Sequence, residues 1–200
     1  MAELSPAHLP DYVVINDPAC LNRHILETPA EPFTFPLSPQ DLAILKTLEA
    51  KYDAEKNCAG LAAPQIGFPK QAIVFAVSDD PALKKWRPDL TDTMPKTLWL
   101  NPSYEEVGSE KHRDYEGCFS VAKVAGPVAR YKTIHYQAYL IDGTKVEGTA
   151  HGFLARIIQH EIDHIHGILY STLVPEGQLL PLEHYRRMRE EAMKKGQPTL

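Results

Sequence analysis

The sequence predicts an α+β fold with a mainly antiparallel sheet, on three observations. Strand-like runs and helices follow one another without a regular β-α alternation. Asp142-Gly143 stands between two β-rich arms, as a hairpin turn does. The stripe from His151 to Ile165 has helical spacing and comes after the strands.

The first helix begins at Ser38-Pro39-Gln40-Asp41, after an extended segment marked by Pro29, Pro32, Pro36 and Pro39. Ser38 suits the cap, Pro39 the first helical position, and Asp41 the positive end of the helix dipole. Leu42, Leu45, Leu48 and Tyr52 then fall on one face. Residues 71–77 and 97–107 read as strands, the second interrupted by Asn101-Pro102. Between them, Pro81, Pro88 and Pro95 mark an irregular loop over 78–97. Residues 128–149 form the hairpin. A second helix runs from about His151 to Ile165 and stops at Gly167, and a third, charged one runs from about Leu182 to Lys195.

Composition bounds the function. Two hundred residues predict one domain spanning 1–200, and 44% apolar with 24% charged residues is ordinary for a globular chain. Strongly apolar runs such as Ala72 to Val77 are strand-sized, far below the ~18 residues of a bilayer span. The net charge of −5 supplies no basic field for nucleic acid or anionic lipid. Cys20, Cys58 and Cys118 are too few and scattered for a disulfide framework, and Met1 to Pro6 resembles neither a signal nor a transit peptide. These features predict a cytoplasmic protein with reduced thiols and no membrane contact.

The chemistry concentrates in Gln159-His160-Glu161-Ile162-Asp163-His164. On a helix His160 and His164 share a face one turn apart, so two imidazoles reach one metal ion. Glu161 lies ~100° around from His160, close enough to address a water at that metal. A catalytic tetrahedral site needs a third ligand and an open position. His166, two residues past His164, points away, while Glu176, Glu183 and His184 follow Gly167, where the chain has left the helix. Upstream, Tyr115-Glu116-Gly117-Cys118-Phe119-Ser120 suits a thiol at a strand edge or tight turn. Gly60-Leu61-Ala62-Ala63-Pro64-Gln65-Ile66-Gly67 lets backbone approach a ligand and offers the Gln65 amide, although alone it also reads as a plain turn.

Taken together, GLAAPQIG, EGCFS and QHEIDH, in that order and with 42 residues from Cys118 to His160, resemble the three signature motifs of peptide deformylases. The resemblance covers about residues 10–175, with INDPACL as a fainter element. It implies antiparallel sheets around a central metal-binding helix, with an N-terminal and a C-terminal helix. It implies Cys118, His160 and His164 as metal ligands, Glu161 as acid/base and Gln65 as oxyanion donor. The implied activity removes formyl from the N-terminal formyl-methionine of nascent chains, releasing formate; a His-Glu-x-x-His metalloprotease is the alternative. Fe²⁺ is the implied metal, with Zn²⁺, Ni²⁺ or Co²⁺ as substitutes. The peptide is expected to lie between Gly60–Leu61 and Gly117–Phe119, with methionine against Phe153 and Ile157. The C-terminal helix, with Arg186, Arg187, Arg189, Lys194 and Lys195, is expected to touch the ribosome transiently.

Three departures bear on the cleft. Cys58 replaces the first glycine of the first motif, and the 78–97 loop is long. Arg156 stands one turn before His160, where many family members carry an apolar residue, and is expected to shape the substrate cleft.

Overall fold

A computed structural model describes residues 9–195 of the chain. Helix α1 (Pro39–Ala54) starts with a reciprocal cap: the Ser38 hydroxyl accepts from the Asp41 N–H at 3.1 Å, and the Asp41 carboxylate accepts from the Ser38 N–H at 3.0 Å. Its apolar face is narrower than the sequence predicts. Leu45 and Leu48 are buried, whereas Leu42 is 45% exposed.

Strand β1 (Gly60–Ala62) passes into a 3-10 turn over Ala63–Ile66 and then β2 (Ala72–Val77). The expected loop is partly helical, because Asp80 accepts from the Ala82 and Leu83 amides and starts α2 (Pro81–Trp86). Strand β3 (Met94–Glu106) runs straight through Asn101-Pro102. The predicted interruption is a bulge: register slips between Leu100 and Ser103, Asn101 takes φ 48°, and its side chain bonds the Phe33 backbone at 2.7 and 2.9 Å.

Strands β4 (Lys111–Cys118), β5 (Val121–Tyr131), β6 (Thr133–Tyr139), β7 (Lys145–His151) and β8 (Leu180–Pro181) complete two sheets, ordered β1-β2-β3-β6-β7 and β4-β5-β8. Every strand pair is antiparallel. Asp142-Gly143 does turn β6 into β7, but residues 128–131 belong to β5 rather than to the hairpin's first arm. Helices α4 (Tyr170–Leu173) and α5 (Leu182–Lys194) close the described chain. Among the described residues no helix is long and apolar enough to cross a membrane.

Helix α3 (Gly152–Ile165) is the axis of the fold. Of residues 153–165, all but Ile157 are buried. One side packs Leu154, Ile158, Ile162 and Ile165 against Ile73, Phe75, Trp99 and Ile134 of the five-stranded sheet. The other turns Arg156 and His160 toward β4 and β5. Its entry tolerates only glycine: Gly152 has φ +55°, and a Cβ there would lie 2.0 Å from the Asp89 carbonyl oxygen.

Candidate metal centre

Alternation along β4 places Asp114, Glu116 and Cys118 on one face. Cys118 is the last residue before the Phe119-Ser120 turn and pairs with Val121 across it. Helix α3 presents His160 and His164 from the opposite side. One ligand atom from each of Cys118, His160 and His164 lies within 4.8 Å of the others. The two imidazoles stand edge to face with centroids 4.9 Å apart.

The residues fit a metal on the chemistry of the donor set. Both His164 ring nitrogens are buried with no hydrogen-bond partner among the described residues, a condition that ordinarily costs ~1–3 kcal/mol per group. Burial, with the His160 and Arg130 charges, also holds the His164 imidazolium well below its usual range, leaving the neutral ring that ligates metal. The His160 Nδ1 faces Glu116 Oε2 at 2.8 Å; since a carboxylate only accepts, Nδ1 carries the proton and Nε2 is left for a metal. Burial opposes charge on His160, but its bonds to Cys118 and Glu116 outweigh burial and raise its pKa well above normal. A thiolate and two imidazoles leave a fourth position open.

Glu161 lies beneath β1. A Cβ on Gly60 would stand 2.4 Å from Glu161 Oε1, so only glycine lets the strand cross at this height. Its other oxygen, Oε2, is buried without a partner, and burial pushes the carboxyl up to about 7. Gln65 is 1% exposed on the turn after β1, and its Oε1 accepts from the Ala62 N–H at 2.8 Å. That bond orients the amide, and no acceptor among the described residues takes its NH2 group. Cys58 donates its thiol to the Gly60 carbonyl at 3.1 Å, and burial pushes that thiol up to about 12, so it stays protonated.

Two strand edges flank this group. β1 ends the five-stranded sheet and β4 ends the three-stranded one, so each has an edge with no partner strand among the described residues. Gly60 and Leu61 lie on the first, Gly117 and Cys118 on the second, and Phe119 follows with its ring stacked on Tyr12 at 4.5 Å.

Two expectations for the cleft are corrected. Arg156 does not line it: the side chain is buried and turned toward β4 and β5, because Glu116 and the backbone carbonyls there accept from it. Phe153 is 7% exposed, belongs to the main core, and has Arg87 over its ring at 4.4 Å, so that face is covered. Ile157 remains half-buried.

The sequence reading missed what holds His160. Arg130 donates to both Glu116 oxygens at 2.9 Å each and also reaches Asp163. Burial would raise the Glu116 carboxyl, but Arg130 and His160 overcome it and hold it well below the usual range. A signal for Glu116 was present, two residues before Cys118 on a strand and therefore on its face. Arg130 carried none.

Known proteins similar to this chain fall in one family. The sequence model of the family described as polypeptide deformylase matches residues 15–178. Peptide deformylase 2 of Rickettsia conorii is 53% identical over 187 residues, 92% of this chain and 93% of that protein. Among solved structures, the Met-Ala-Ser-bound class I type b peptide deformylase of Acinetobacter baumannii superimposes with TM-score 0.70 at 29% identity, covering 83% of this chain and 98% of that one. The Ehrlichia chaffeensis peptide deformylase shares the fold at TM-score 0.70 and 23% identity, covering 94% and 96% of the two chains.

Proposed function

The chain belongs to the polypeptide deformylase family, a metal-dependent hydrolase family that removes formyl from N-terminal formyl-methionine, and from that premise we propose which residues carry out the reaction here. The observation that carries the proposal is the convergence of Cys118, His160 and His164 beside a buried Glu161 whose Oε2 has no partner among the described residues.

Cys118, His160 and His164 would hold a divalent cation, which would supply Lewis acidity toward a water and toward the formyl oxygen. The metal we assign is Fe²⁺, with Zn²⁺, Ni²⁺ or Co²⁺ able to replace it on the same ligands. Glu161 accepts a proton from the attacking water and later delivers one to the leaving nitrogen. As water oxygen adds to the formyl carbon, charge grows on the formyl oxygen. The Gln65 NH2 and the Phe119 backbone N–H donate to it, one such donor being worth ~3 kcal/mol elsewhere. The C–N bond then breaks, leaving formate and a free α-amine.

The free edges of β1 and β4 support an extended peptide between Gly60–Leu61 and Gly117–Phe119, paired through main-chain bonds. An Acinetobacter baumannii relative was crystallised with Met-Ala-Ser bound, which supports a short peptide as the kind of ligand. Ile157 is the half-buried apolar residue of α3 assigned to the methionine side chain; Phe153 backs it from the core. A cytoplasmic location suits three free cysteines and a nascent-chain substrate. Transient ribosome contact is assigned to the exposed Arg186, Arg187 and Lys194 of α5 and the Lys195 that follows it, with Arg189 excluded because it is buried.

Substrate choice tests this reading. Acetyl carries a methyl where formyl has hydrogen, and the carbonyl carbon must fit between the metal ligands, Gln65 and Phe119. A ~1 Å misplacement costs ~10²-fold in rate, so formyl-Met-Ala should be cleaved at least that much faster than acetyl-Met-Ala. Comparable rates, or Glu161-dependent cutting of an internal Met-Ala bond, would overturn it. Gly60→Ala is a second check. Its Cβ would meet Glu161 Oε1 at 2.4 Å and displace the carboxylate, so formate release should drop ~10²-fold while bound metal is unchanged. Normal turnover in that variant would contradict the placement of Glu161.

A further inference from the structure

We propose that Arg156 is a positioning residue for the metal ligand His160, acting through Glu116. The inference rests on the metal-site reading above and adds a residue to it.

Arg156 and His160 are four apart on α3 and face the same way. Glu116 reaches in from β4 and spans both: Oε1 accepts from Arg156 at 2.7 Å, and Oε2 accepts from His160 Nδ1 at 2.8 Å. Arg130 from β5 adds one bond to each oxygen at 2.9 Å. Four donors thus occupy a carboxylate with about four acceptor sites. Arg130 grips both oxygens from one side, which leaves Glu116 free to tilt about that fork. Arg156, fastening Oε1 alone, removes the tilt and fixes where Oε2 meets His160.

The arginine is itself rigidly held. It donates to the carbonyls of His112 at 2.6 Å and Val128 at 3.1 Å, tying α3 to the β4–β5 pair at the turn preceding His160. Packing alone does not call for it. Arg156 Nε is buried with no partner among the described residues, and burial works against its charge. Well-packed apolar side chains commonly replace buried ions without loss of stability. What an apolar residue cannot do is constrain Glu116. Groups that orient a ligating imidazole typically change metal affinity or activity ~10–100-fold.

The test uses the full chain loaded with Co²⁺. Arg156→Met should release cobalt to a chelator ~10-fold faster or more, shift the visible ligand-field bands, and lower kcat with KM for formyl-Met-Ala little changed. Arg156→Lys, which keeps the charge but not the fork, should recover part of each effect. If the Met variant does not fold, the Lys variant carries the test, with effects of the same sign. Arg189→Met is the control. Arg189 bonds Asp114 and the Trp86 carbonyl in a neighbouring buried cluster and does not touch Glu116, so its loss should lower the melting temperature and leave the cobalt bands unmoved. Wild-type cobalt release and bands in both Arg156 variants would overturn the proposal. So would an equal spectral change in Arg189→Met, which would reduce Arg156 to general packing. Absence of thiolate-to-cobalt absorption in the wild-type protein would instead bring down the metal-site reading beneath it.

Discussion

Glu161→Gln should retain its metal and lose turnover, with formate release falling by ~10⁴-fold, the upper end for one acid/base group, because Glu161 serves in both proton transfers. Glutamine fills the same volume beneath Gly60 and makes the same contacts, but it cannot accept a proton. The carboxylate is poised for the task because Oε2 has no hydrogen-bond partner to compete with an incoming water. Burial lifts its pKa to about 7 in the metal-free chain, and a nearby dication favours the ionised form and opposes that rise. In the loaded enzyme kcat/KM should therefore fall as pH drops through a pKa below about 7, since the protonated carboxyl cannot take up a further proton. Near-normal formate release by the variant would remove Glu161 from the mechanism, and loss of metal would make it structural.

Cys118→Ser should empty the site. A serine hydroxyl stays protonated where a cysteine thiol ionises on metal, so the exchange removes a ligand and not merely a sulfur. Loss of residues that only orient a ligand costs ~10–100-fold in metal affinity, and loss of the ligand itself should cost more. His160→Ala and His164→Ala should behave alike. Metal analysis after dialysis gives occupancy, and Co²⁺ reports the thiolate by charge-transfer absorption. Full occupancy with retained absorption in Cys118→Ser would exclude that cysteine.

Local periodicity and turn chemistry made several elements legible, whereas the roles of Cys118 and Gln65 came only with the resemblance of their motifs to a family. His160 and His164 follow helical spacing, Ser38 and Asp41 write their cap into four residues, and Asp142-Gly143 writes its turn into two. What was not legible is tertiary. The Glu116–Arg130 pair forms only when β4 and β5 pair, and Arg156 reaches Glu116 across 40 positions of chain, so local periodicity points to neither contact. Arg156 was assigned to the cleft because it falls one turn from His160. The direction it takes is set by the carbonyls of β4 and β5, which a helical wheel does not show. Phe153 failed likewise, since the Arg87 that covers it arrives from the segment after α2. The bulge at Asn101 needed knowledge of Phe33, whose backbone satisfies the asparagine side chain.

The most direct measurement of the central claim is X-ray absorption on anaerobically purified protein, where the edge identifies the metal and the fine structure counts its ligands. The expected shell is one sulfur and two imidazole nitrogens per metal with one lighter oxygen position, at ~2.3 Å for sulfur and ~2.0–2.1 Å for nitrogen if zinc is loaded. A shell without sulfur, or with more than two imidazoles, would contradict the Cys118, His160 and His164 site.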